Sequence, residues 1–288
     1  MNRGTRLAAV LSVAAALLTT AGCNKLQARD QLNKGVQAYK SGNVEQSVGH
    51  FQEAVRLDPE FKVAKLYLAM AYMSQYVSGV ETPDNLHMAE QAIQQYKEVL
   101  EQDPTSVNSL KGIAYLNREM KNFDQARETY KKALQIDPND PDLYYSLGVI
   151  DWTQAYKDAK EIKGKAGLEV EAELKGGKGK KGAKEQQLCD ELRAKDGPVI
   201  EEGMKMLETA IDKRQDYDEA MAYLNLLYRR KANDITCDDQ EARAQYNKLA
   251  DQWTNKAMAA RKKKAEEAAR KNQGGIILEA TPTPSPSR

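Results

Sequence analysis

The stretch LKGIAYLNREMKNFDQARETYKKALQIDP, residues 110–138, reads as two helices joined by a turn. Pro138 disfavours helical geometry at Asp137, so the second helix stops there. Small Ala126 and Ala133 allow close approach of neighbouring helices, and Tyr130 fills the layer between them. Lys121-Asn122 supplies the turn. Working outward, LNKGVQAYKSGNVEQSVGHFQEAVRLDP (32–59) repeats the pattern, with Gly35, Phe51 and Ala54 in the packing layer and Gly42-Asn43 at the turn. A middle unit opens with KVAKLYLAMAYMSQY (62–76), carrying Ala69 and Tyr72, and resumes with AEQAIQQYKEVLEQDP (89–104), carrying Ala92 and Tyr96. Asp58-Pro59, Asp103-Pro104 and Asp137-Pro138 close the three units. Pro138 follows Pro104 by 34 residues, and Pro104 follows Pro59 by 45, the 11 extra residues, around Val77 to His87, sitting between the two helices of the middle unit. One such hairpin cannot bury its apolar face alone, whereas stacked neighbours can.

The period and these positions resemble the tetratricopeptide family. A fourth unit opens at PDLYYSLGVIDW with Leu147 and Gly148. Its partner, VIEEGMKMLETAID with Leu207 and Ala210, follows only after a long interruption. DEAMAYLNLLYRRK (Leu224, Tyr228) and EARAQYNKLADQW (Ala242, Tyr246, Leu249) make a fifth, which runs on through Met258 toward Lys271 as a capping helix. The resemblance covers roughly residues 28 to 255. It implies an all-α fold, a tetratricopeptide-type α-solenoid of about five helical hairpins with insertions in the second and fourth and an extended C-terminal helix. It further implies that first helices line a concave groove for protein partners, placing Leu32, Val36, Tyr39, Leu66, Met70, Met73, Tyr115, Arg118, Tyr145, Val149 and Trp152 toward it. Family members that hold a peptide's carboxylate use Lys, Asn and Arg there. Leu32 and Val36 stand at first-unit positions of that set, which argues against this mode.

Ahead of the repeats, Arg3 and Arg6 precede a 12-residue apolar run, Leu7 to Leu18, and then Thr19-Thr20-Ala21-Gly22-Cys23. This is the grammar of a cleaved export signal, and the run is short of the roughly 18 residues that span a bilayer. Ala21-Gly22-Cys23 resembles the bacterial lipobox, which makes Cys23 the lipidated residue. Thr20 departs from the usual Leu, Val or Ile, and soluble secretion is the other reading. The expected organisation is a leader at 1–22, a short tether at 23–27, repeats at 28–163, a flexible Gly/Lys-rich insertion at 164–198, further repeat-like helices at 199–272 and a disordered Pro-rich tail at 273–288. Asn24 in place of Asp favours the outer membrane, facing the periplasm.

The 288 residues carry 43 Lys+Arg against 42 Asp+Glu, and the mean hydropathy is -0.71. A polytopic membrane protein is excluded, and the balanced charge predicts no dedicated nucleic-acid binding. With 2 His and 3 Cys there is little material for a metal site or a Cys/His nucleophile, and no metal or other cofactor is expected. The P-loop, zincin, nucleophile-elbow and dinucleotide patterns are missing, and His50 and His87 have nothing to pair them. With Cys23 lipidated, Cys189 and Cys237 remain as an even pair in an oxidising compartment. They form either a disulfide stapling the insertion to the array or two independent thiols. The functional reading is a non-catalytic adaptor or scaffold of the bacterial cell envelope, anchored by its N-terminal lipid and holding partners in assembly of an outer-membrane or pilus-like complex. The alternatives are an exported enzyme or small-ligand binder with its site in the inserted segments 77–87 and 164–198, and a self-associating scaffold.

Overall fold

The structure, a computed structural model, describes residues 23–177 and 179–274, with side chains as far as residue 270. The leader at 1–22 and residues 275–288 of the expected tail lie outside the described residues. The chain divides into two compact units, one ending at Pro138 and one beginning at Asn139.

The first unit is three helical hairpins. Helix α1 covers residues 23–40; it is followed by α2 (Val44–Leu57), α3 (Lys62–Gln75), α4 (Pro83–Gln102), α5 (Val107–Glu119) and α6 (Phe123–Ile136). The same turn closes the first and third hairpins. Gly42 and Lys121 take φ of 79° and 65°, and the next amide reaches back five residues, Asn43 N to Ala38 O at 2.9 Å and Asn122 N to Asn117 O at 2.8 Å. Two bonds of this kind satisfy carbonyls left open at a helix end.

Glycine is required where an aromatic ring crosses the helix axis. A Cβ on Gly35 would lie 2.4 Å from the Phe51 ring, and one on Gly112 would lie 2.4 Å from the Tyr96 ring. Phe51 is fully buried, Tyr96 is 2% exposed, and both belong to one core cluster with Leu68, Tyr72, Ile113 and Leu116. Gly112→Ala is therefore expected to cost about 1–3 kcal/mol by overpacking, although alanine gains about 1 kcal/mol of helix propensity. Urea unfolding of the single variant and of Gly112→Ala/Tyr96→Leu tests this: the smaller side chain should restore much of the loss, and a neutral single variant would contradict the packing argument.

Two expectations for this unit are corrected. Residues 23–27 are not a tether; they are the first turns of α1, continuous with Ala28, which is fully buried. The extra residues of the second hairpin are not all loop, because α4 begins at Pro83 and absorbs Pro83 to His87. Pro at the first helical position gives up an N–H that would be unpaired there anyway. The connection at 76–82 is held by Asn85, which accepts from Val77 N at 2.8 Å and donates to Val77 O and Val80 O at 2.8 and 2.6 Å.

The second unit holds α7 (Pro141–Lys165), α8 (Lys180–Lys213), α9 (Asp218–Arg230), a π-helical turn (Lys231–Ile235) and α10 (Gln240–Gly274). Asp140 caps α7, accepting from Asp142 N at 2.8 Å. Gly148 meets Leu207, whose Cγ would stand 2.5 Å from an added Cβ. The flexible insertion expected at 164–198 is corrected. Its ends belong to α7 and α8, and its middle is anchored by Leu174, fully buried, whose amide donates to Asn233 O at 3.1 Å. Helix α8 does not start at Val199 but runs through Pro198, because Cys189, Leu192 and Asp196 on its first half are buried together with Ile200, Met204 and Leu207 on its second. Burial of that continuous stripe outweighs the cost of an interior proline. Residues 273 and 274, expected in the tail, end α10.

Candidate functional site

The first helices of the hairpins in the first unit carry a stripe of apolar side chains that is only half buried. Leu32, Val36 and Tyr39 on α1 and Leu66, Met70 and Met73 on α3 rest on the core cluster while keeping part of their surface in water. Tyr115 on α5 is 38% exposed, and the Arg118 guanidinium lies 5.1 Å from its ring while pairing with Glu119 at 2.8 Å. Met73 Sδ takes the Tyr96 hydroxyl at 3.7 Å. Unbranched Met side chains adapt to irregular partner surfaces. Beside this stripe, Tyr76, Leu86 and Met120 wall a cavity of about 310 Å³. Its rim carries an ion pair, Lys121 Nζ to Glu81 at 2.9 Å. Burial and the Glu119 carboxylate push the Tyr76 phenol up from its ordinary value.

In the second unit the expected groove residues divide. Tyr145 and Trp152 are half buried and join a run of rings: Tyr217 to Tyr145 at 5.1 Å, Tyr145 to Tyr223 at 5.7 Å, Tyr223 to Trp152 at 5.2 Å and Trp152 to Tyr156 at 5.3 Å. These offset and edge-on contacts are favourable beyond area burial. Val149 is corrected: it is 6% exposed and belongs to the core. Its neighbours on α7, Tyr145 and Trp152, pack against Tyr223 of α9.

A second set of residues had no signal in the sequence. Lys163 is fully buried and pairs with Asp234, 2% exposed, while its Nζ also donates to the carbonyls of Val170 and Ala172 at 3.1 and 2.7 Å. Arg230, 2% exposed, pairs with Asp234 at 3.2 Å and with Glu171, and donates to Val170 O at 2.9 Å. Burial pushes the Lys163 ammonium down and the Asp234 carboxyl up, each against the pull of its partners. Arg243 donates to the carbonyls of Leu174 and Cys237, both at 2.7 Å. These cations satisfy the backbone of a connection that would otherwise be buried without hydrogen bonds. Cys189 and Cys237 are joined in a disulfide with Cα atoms 6.2 Å apart. Cys23 is a free, exposed cysteine.

Asp196 of α8, 1% exposed, stands against Asp158 of α7, which takes Lys195 Nζ at 2.9 Å. Burial and the Asp158 charge push the Asp196 carboxyl up to about 8, so at neutral pH it keeps its proton. The unfolded chain releases that proton near about 3.9. Between about 4 and 8 the native state binds more protons than the unfolded one, so stability falls as pH rises through that window and levels off above it. Asp196→Asn should remove this slope and raise stability most at pH 9. Unfolding at pH 5, 7 and 9 checks it, and equal slopes for the two proteins would refute it.

Among the described residues no cluster of three or more His, Cys, Asp or Glu is placed to hold a metal ion, and no helix is long and apolar enough to cross a membrane. What the geometry defines is a repeat protein of stacked helical hairpins with a half-exposed apolar stripe on its first helices. Residues 114–154 match the family described as TPR repeat, and the fold is all-α and of the tetratricopeptide type. It is 29% identical over 116 residues to the Hsp70-Hsp90 organizing protein of Triticum aestivum, covering 40% of this chain and 18% of that protein. It is 26% identical over 125 residues to the mitochondrial import receptor subunit TOM70 of Homo sapiens, covering 43% and 20%. The chain thus spans about a fifth of the length of the curated relatives it matches. The solved structure of the MamA protein shares the fold, with a TM-score of 0.53 at 14% identity over 90% of this chain and 98% of that one.

Proposed function

We propose that this protein is a non-catalytic adaptor that holds segments of partner proteins against the first helices of its hairpins. The carrying observation is the stripe of Leu32, Val36, Tyr39, Leu66, Met70 and Met73, kept half in water by a fold that fully buries Phe51 and Leu116 one layer below. A monomer with a core this complete gains nothing from leaving that area wet, and a partner segment would gain its burial. The resemblance to an organizing protein and an import receptor subunit supports the reading. We further propose that the protein is exported and attached to the cell envelope by lipid on Cys23, on the strength of the charged and apolar leader and Ala21-Gly22-Cys23.

A photo-crosslinking residue at Met70 or Tyr115 in the full chain tests the groove, with one at exposed Glu128 as the control surface. Partner proteins captured at the first two positions and not at the control support the adaptor. Capture equal at all three would remove the groove from the account. Cys23→Ser should release the protein from membranes, and unchanged membrane association would reject the anchor.

A further inference from the structure

The Cys189–Cys237 disulfide is built asymmetrically. Cys189 is fully buried against Ile162, Leu174 and Leu192. Cys237 is 5% exposed and lines a cavity of about 440 Å³ with Lys175, Gly176, Gln240, Arg243 and Asn247. A half-exposed guanidinium stands beside Cys189: Arg193 Nη2 lies 3.6 Å from Cys189 Sγ, and its Nε donates to Ile235 O at 3.0 Å. Asp190 and Asp238 share that guanidinium at 3.2 and 2.6 Å, and Glu173, Lys175 and Arg243 carry the charge around the cavity.

We propose that this disulfide is a thiol exchange site, attacked at Cys237 through the cavity by a dithiol, with Cys189 as the leaving group. Exchange rates depend on which sulfur is reached and on the acidity of the departing thiol, and a neighbouring cation makes a thiol more acidic. In the first step a thiolate of the dithiol bonds to Cys237 Sγ. The bond to Cys189 breaks, and Cys189 departs as a thiolate beside Arg193, then takes a proton from solvent. In the second step the other thiolate of the reagent closes on its own mixed-disulfide sulfur and releases Cys237, which is protonated in turn. The protein gains two electrons and two protons, and the dithiol leaves as its disulfide. The consequence is local. The arm 166–177 is fastened to this corner by Gly176 N to Cys237 O at 3.2 Å and by Arg243, which clasps Leu174 O and Cys237 O together, so reduction loosens the arm.

The test treats the oxidised full chain with dithiothreitol without denaturant and follows alkylated thiols by mass spectrometry. Reduction should outpace global unfolding, and Arg193→Met should slow it roughly threefold or more, with Arg193→Lys restoring part of the rate. Hydrogen exchange should quicken at 166–177 on reduction and stay unchanged in α2. In folded single-cysteine variants, confirmed by circular dichroism, Cys237 in Cys189→Ser should react with an aromatic disulfide reagent while Cys189 in Cys237→Ser stays inert. Reduction only at the rate of unfolding, indifference to Arg193 or equal reactivity of the two thiols would overturn the proposal.

Discussion

Asp234→Asn is expected to lower the unfolding free energy by about 3–5 kcal/mol, the range for removing one partner from a buried ion pair. Asp234 is the carboxylate shared by Lys163 and Arg230, both 2% exposed or less. Without its charge two cations face each other away from water, and Glu171, the other acid, forms its ion pair with Arg230. The cost comes from the orphaned charges, since burial already disfavours ionised Lys163 and ionised Asp234. The double variant Lys163→Met/Asp234→Asn should therefore be more stable than Asp234→Asn alone. Urea unfolding of the four corners of the cycle measures this coupling. A cost under about 1 kcal/mol for the single variant, or a double variant that is worse, would show that the cluster does not hold this corner together.

Removing the disulfide should have an effect of the same size. Cys189 and Cys237 are 48 residues apart in sequence, and cross-linking a loop of that length stabilises by about 4 kcal/mol in the chain-entropy description. Cys189→Ala/Cys237→Ala should lose about that much in urea unfolding, with the transition of the first unit unmoved, since both cysteines belong to the second. A loss shared by both units would mean that they unfold together, and no loss would mean that packing alone fixes the arm.

The two variants probe the part of the molecule that is hardest to read from its residues. In the first unit the local signals agree. Asp-Pro stops, Gly42 and Lys121 at the turns, and Gly35 and Gly112 under Phe51 and Tyr96 each report a requirement met within one hairpin or its neighbour. Leu32, Val36, Tyr39, Leu66, Met70 and Met73, which the family resemblance assigns to the first helices' groove face, are half buried against the core cluster. Val149, expected in the same groove, is instead 6% exposed, a burial that tertiary packing decides. The segment 164–198 misled for a compositional reason. Gly and Lys residues cannot form a core by themselves and so read as flexible, whereas Leu174 and the backbone around it are buried under side chains from α7, α9 and α10.

Period, hairpin count and helical class were therefore legible in the linear chain, because each rests on contacts between residues a few turns apart. The fate of Lys163 was not. A lysine in a charged stretch reads as solvated, and it becomes a core residue only because Asp234, 71 positions away, arrives beside it. The same holds for Pro198, which stands at the end of the expected insertion yet lies inside α8, since burial of residues on both sides of it outweighs its missing hydrogen bond. Charge burial and helix continuity are settled by what packs against a residue, and that information exists only once the chain has folded.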